Sequence, residues 1–217
     1  MVTITNEQIV KAIVETLQML SFSLIIGSII GIPLGVALVI TRKDGIIKNR
    51  FIFTILSNVI NIVRSVPFII LLVAIVPFTR LVVGTSIGTS AAIVPLIVYI
   101  SPYIARLVEN SLLEVDEGII EAAEAMGATP LEIIRYFLLP EALGSLILTI
   151  TTAAIGLIGA TAMAGTIGGG GIGDLAISYG YQRFDTPVIV VTVVILVIFV
   201  QGIQWLGNIL ARKVRRH

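Results

Sequence analysis

Along this chain, apolar positions gather into runs long enough to cross a bilayer, for which a helix needs about 20 residues, and polar positions crowd into the gaps between them. Five such runs can be drawn, at 17–40, 60–79, 88–107, 142–164 and 187–206. The pattern predicts an all-α, polytopic transmembrane bundle of about five spans. No Pro/Ser-rich linker divides the chain, so a single membrane domain over 1–217 is the economical reading. No period of 20–50 residues repeats, which argues against a solenoid.

One stretch departs from the pattern. Between the third and fourth runs, within about 112–140, lies the acidic, alanine-rich segment EVDEGIIEAAEAMGATPLEIIRYFLLPEA. Ile119, Ile120, Ala123 and Met126 fall on one helical face, with Glu117, Glu121 and Glu124 opposite or beside it. Gly127 is placed to end that helix at the C′ position. Thr129 as N-cap, Pro130 at the first helical position and Glu132 in a capping box then predict a second helix. Leu131, Ile134, Phe137 and Leu138 supply its apolar face, and Pro140 marks the entry to the fourth span. Alanines at 122, 123, 125 and 128 leave little bulk, so the backbone of another protein could approach closely. Docking is one reading of this surface hairpin, and a plain connector between two spans is the other. A DNA-binding helix-turn-helix fits poorly: Arg135 is the only basic residue between 107 and 140, and phosphate contacts need several.

Composition supports the membrane assignment. Hydrophobic residues make up 57% and charged residues 12%, with a mean hydropathy of +1.08; a soluble domain carries about 25% charged residues. There is no cysteine, which excludes disulfides and thiolate metal sites, and the sole histidine is His217. The N-terminus lacks the basic start, short apolar core and cleavage site of a signal peptide, so the first span is expected to remain. Charge placement sets orientation. Arg42, Lys43, Lys48, Arg50, Arg106, Arg135, Arg212, Lys213, Arg215 and Arg216 share one side of a five-span arrangement; the other side has Lys11, Arg80 and Arg183. The expectation is an external N-terminus, with the acidic segment and the tail in the cytoplasm.

Several constellations invite chemistry. GTIGGGGIGD, Gly165 to Asp174, fits G-x-G-x-x-G through Gly168, Gly170 and Gly173, but it follows a span rather than a strand of a βαβ unit. A flexible external loop is expected instead. Gly27, Gly31 and Gly35 recur every four residues, a spacing that lets two membrane helices pack closely. The fourth span is rich in Gly, Ala and Thr and free of charge, which suits tight packing or a solute pathway; Met163 is the bulky residue near its outer end, either a yielding gate or filler. Ser57, Asn58, Asn61, Arg64 and Ser65 form a polar stripe entering the second span. Arg64 either faces a vestibule or snorkels to the interface. Pro67 and Pro77 bracket the apolar part of that span and can bend it; Pro95 and Pro102 in the third are placed to do the same. No intramembrane Asp or Glu is expected. No phosphate loop of the form G-x-x-x-x-G-K-[ST] occurs.

Glu121-Ala122-Ala123, three residues, Gly127, and then Leu139-Pro140 resemble the EAA motif of ABC importer permeases; Phe137 stands where the motif has isoleucine. NIVRSVPFIILLVAIVPFTRLVVGTSIG from Asn61 and AAIVPLIVYISPYIARLVENSLLEV from Ala91 resemble the methionine-importer branch, and the likeness covers nearly the whole chain. The resemblance implies a type I importer permease fold and a homodimer in a bacterial cytoplasmic (inner) membrane. It implies two ATP-binding subunits at the cytoplasmic face, which would hold the ATP and Mg; no cofactor is expected in this chain, and no nucleic acid. It also implies a substrate-binding protein outside. Glu121, Ala122, Ala123, Met126, Gly127 and Ala128 become the ATPase-coupling residues. Asn61, Arg64, Phe68 and Met163 become candidates for the substrate pathway, and Gly170, Gly171, Tyr179 and Tyr181 for contact with the binding protein. Methionine is the expected cargo and the chain itself is no enzyme. A permease for another small amino acid, a stand-alone secondary transporter and a non-transporting scaffold are the rivals.

Overall fold

The computed structural model describes residues 4–214; Arg215, Arg216 and His217 lie outside the described residues. The described chain is helical, without strands. Helix α1, Asn6–Thr41, starts well before the predicted first span because Thr5 and Gln8 close a capping box, and it continues through Pro33. After the basic loop, α2 covers Arg50–Ser65 and α3 covers Phe68–Ala74.

The predicted second span, 60–79, is therefore not one helix. The axes of α2 and α3 differ by 99°. Pro67 offers no N–H, and its ring forces Val66 out of the helical region to φ −86°, ψ 122°. A second short helix, α4 (Val76–Val83), follows with Pro77 in its first turn and ends at Gly84 in the left-handed region. Helix α5, Thr89–Leu113, absorbs Pro95 and Pro102 and is the centre of the bundle: 61% of its most apolar window is buried, against 11% for α10, Thr186–Val214.

The three glycines of α1 explain the tightest packing. Side chains alone do not bring membrane helices together by the hydrophobic effect, because lipid tails are as apolar as leucine; close van der Waals fit must do it. A Cβ added at Gly31 would lie 2.6 Å from the Ser101 carbonyl oxygen, and one at Gly35 would lie 2.7 Å from that of Ala105. Gly27 meets the Ile100 side chain instead. The partners advance with the glycines, so α1 and α5 run parallel. Leu96, Ile100, Ile104, Val108 and Leu112 line the contact, almost wholly buried.

The fourth span also differs from its predicted bounds. A three-residue turn α7 (Pro130–Glu132), a wide π-helical stretch (Ile133–Leu138) and α8 (Leu139–Ala164) form one run, so Pro140 marks no break. The π turn before it loosens the ladder where the proline lacks a donor. α8 lies antiparallel to α5, with the Ser111 and Thr149 hydroxyls 2.6 Å apart and Ser145 donating to Glu114 at 3.0 Å.

A candidate coupling surface, pathway and outer hairpin

The acidic segment forms the nine-residue helix α6, Glu117–Ala125. Asp116 caps it, accepting from the Gly118 N–H at 2.7 Å. Its end is a Schellman turn: Ala128 N–H donates to the Ala123 carbonyl and Gly127 N–H to that of Glu124, with Gly127 at φ +80°. Ile119 and Ile120 pack on the main core, and Ala123 is fully buried. Glu121, Ala122, Glu124, Ala125, Met126 and Gly127 are exposed, and Ala128 is half-buried. Met126 thus does not join Ile119 and Ile120 on the inner face. It sits at the C-cap, where the helix has ended, and stands 70% exposed.

The next turn is held by Glu132, whose Oε2 accepts from both the N–H and the hydroxyl of Thr129, each at 2.7 Å. Those two bonds, the backbone one first, hold the Glu132 carboxyl below its ordinary value. Leu131, expected to face inward, is exposed, and Ile133 and Leu138 are buried in its place. Their five-residue spacing is that of the π stretch, which shifts the phase that a 3.6-residue period predicts. Met126, Leu131 and Tyr136 consequently stand out as large exposed apolar groups around the small surface of α6. Sequence reasoning missed Tyr136, since nothing local marks the phase shift.

On the pathway side, α2 runs antiparallel to α5. Arg106 belongs to α5 rather than to a loop. Its Nη1 pairs with Glu109 at 2.5 Å, and its Nη2 donates to Ser57 Oγ at 2.6 Å and Asn61 Oδ1 at 2.9 Å. Glu109 is 5% exposed, so the span does carry an interior carboxylate, against expectation. The i, i+3 spacing of Arg106 and Glu109 is the one signal that could have found the pair. Arg64 is exposed and lies over the Tyr103 ring at 6.0 Å. Tyr103 stacks on Tyr99, and Phe68 meets Tyr99 edge-on at 5.1 Å. Phe68 is buried in the core and lines no opening here, because the turn at Pro67 tucks it against α5. Met163 belongs to a different face, an uncovered strip of α8 in which Gly156 and Gly159 have nothing within 4 Å. Met163 is half-exposed at the outer end of that strip.

The glycine-rich stretch is not a flexible loop. The chain turns at Ile167 and Gly168, then forms α9 (Gly171–Asp174) and a π-helical stretch (Leu175–Tyr181) packed against α1. Gly171 N–H donates to Glu15 Oε2 at 2.8 Å and Ile172 N–H to Thr16 Oγ1 at 2.9 Å, while Gly88 N–H donates to the Gly168 carbonyl. Gly171 is therefore buried, and its backbone faces α1 rather than solvent, because a Cβ there would lie 2.7 Å from Thr16 Oγ1. Gly170 is half-buried beside Glu15; Tyr179 accepts from Gln8 Nε2 at 3.4 Å and carries Arg183 over its ring; Tyr181 is exposed.

Comparison with known proteins agrees with this geometry. Residues 27–216 match the family described as "Binding-protein-dependent transport system inner membrane component". The "Probable D-methionine transport system permease protein MetI" of Vibrio cholerae is 49% identical over 211 residues, covering 97% of this chain and 94% of its own. "D-methionine transport system permease protein MetI" of Escherichia coli K12 is 53% identical over 157 residues, 72% of each chain. A chain from the MetNI methionine ABC transporter, solved in inward-facing conformations, superposes with a TM-score of 0.94 at 47% identity, covering 97% of this chain and 99% of its own. An all-α bundle with the type I ABC importer fold, a broken second span and an exposed EAA helix, this chain belongs to the inner membrane components of binding-protein-dependent transport systems.

Proposed function

We propose that the chain is the permease of a methionine importer, working as a homodimer that alternates between inward- and outward-facing states. Two separate ATP-binding subunits dock on α6 through Glu121, Ala122, Met126 and Gly127, with Leu131 and Tyr136 at the rim. Ala123 and Ala128 hold the hairpin's inner side. ATP and Mg belong to those subunits. The N-terminus and the outer hairpin face the binding protein, which meets Tyr181 and its surroundings; α6 and the tail are cytoplasmic. The second protomer packs across the thin strip of α8, and Met163 closes the route at its outer end.

The observation that carries the reading is the exposed, small-residue surface of α6, capped at both ends and seated on the core through Ile119 and Ile120. A rigid helix passes a push to the spans, and a push helps only if ATP binding favours one permease state over the other. A stand-alone carrier leaves this surface without a role. The test is reconstitution in proteoliposomes with the ATPase and the binding protein, following labelled methionine against competing amino acids. Glu121→Lys is expected to abolish coupled uptake and ATPase pull-down. Uptake without any ATPase chain would refute the reading, and competition by another amino acid alone would change its cargo.

A further inference from the structure

The structure assigns to Arg64 a role in passage itself: we infer that its guanidinium receives the carboxylate of a zwitterionic amino acid midway through the membrane. The inference rests on the importer reading above. Arg64 sits opposite Tyr103, near the midpoint of α5 (Thr89–Leu113), where a cation is costly and marks a polar route. Two arginines approach this depth, and they are treated differently. Arg106 is neutralised by Glu109 and its donors are taken by Ser57 and Asn61. Arg64 has no carboxylate in ion-pair contact and no hydrogen bond to the protein among the described residues. Its five N–H donors are in a fork that fits a carboxylate.

The surroundings suit the rest of the ligand. Arg64 lies in the last turn of α2, which stops at Val66 and Pro67, so the negative end of that helix dipole falls in this region. Carbonyl dipoles of that sign favour an ammonium group. Tyr103 and Tyr99 offer half-buried aromatic faces, with Phe68 behind them, and aromatic rings attract a thioether. The exposed side of α2 continues toward the basic loop through Asn61, Asn58 and Thr54, a polar track down which a released solute can move. The neighbouring Arg106–Glu109 pair supplies no net charge, so the site as a whole favours an anion.

The test measures methionine moved per ATP hydrolysed in proteoliposomes, using only complexes recovered through the ATPase subunit. Arg64→Met, which can still cover the Tyr103 ring, and Arg64→Gln are each expected to lower that ratio about 10- to 100-fold, the worth of a charge-assisted hydrogen bond. Arg64→Lys keeps the charge and is expected to retain most of the ratio. An unchanged ratio in Arg64→Met overturns the inference, as does equal failure of Arg64→Lys and Arg64→Met through loss of ATPase recovery, which would make the residue structural. Wild-type complexes that import no methionine would instead bring down the importer reading.

Discussion

The two tight turns at opposite ends of the bundle are both made of small residues, and they use that smallness in opposite directions. At 117–128, Ala122, Ala125 and Gly127 face outward from a capped helix, with their inner neighbours Ile119, Ile120 and Ala123 seated on the core. At 165–173 the small residues face inward: Gly165 meets the Asp174 backbone, Gly173 meets Ala162, and Gly171 meets Thr16 and Met19. Missing side chains in the first turn leave open surface, which the proposed function gives to a foreign chain. In the second they leave room for the protein's own helices, and that room is already filled. A run of glycine and alanine therefore says only that something comes close.

Enlarging one residue at each end should affect the two turns in opposite ways. Gly165→Val should be the larger blow, since a Cβ there lies 2.5 Å from the Asp174 backbone nitrogen. Overpacking of this kind costs about 3 kcal/mol, read as a fall in melting temperature of the detergent-solubilised chain; an unchanged melting curve would mean the outer hairpin is looser than described. Ala122→Trp should do the reverse. Its side chain projects into solvent, so stability should move by about 0.5 kcal/mol or less, while affinity for the ATPase subunit, measured by pull-down titration, falls about tenfold or more through steric exclusion. If the ATPase still binds normally, the docking surface lies elsewhere.

The smallest effect concerns Glu132, which anchors the turn after α6. Its folded carboxyl ionises more readily than an ordinary glutamate because Thr129 donates to it twice. The stabilisation is therefore present at pH values above the ordinary glutamate value and disappears as the pH falls through the lower, folded one. Glu132→Gln should lower the melting temperature slightly at neutral pH and leave the acidic end nearly unaltered, so that the limb between them flattens in a pH series. An identical acidic limb in wild type and variant would remove Glu132 from the account.

Much of this was legible along the chain. The long helices, the Gly127 stop, the role of Glu132 in capping and the close approach through Gly27, Gly31 and Gly35 all follow from short-range rules. Pro67 and Pro77 announced trouble in the second span, though not a turn of 99°. The Arg106–Glu109 pair was hidden because a charge near a span's end reads as loop until α2 is seen to cover it. Met126 and Leu131 were misplaced for a geometric reason: a C-cap and a π turn each shift the phase on which a helical wheel depends.

By itself, then, the order of residues determined which segments are helical and where many of them start and stop. Backbone groups in lipid must be satisfied within their own segment, so the decision is local. Packing between distant elements settled which thin faces are filled and which stand open, and that Arg106 is paired while Arg64 has no such partner among the described residues. Those outcomes depend on where a helix dozens of residues away comes to rest, and no local pattern carries that distance.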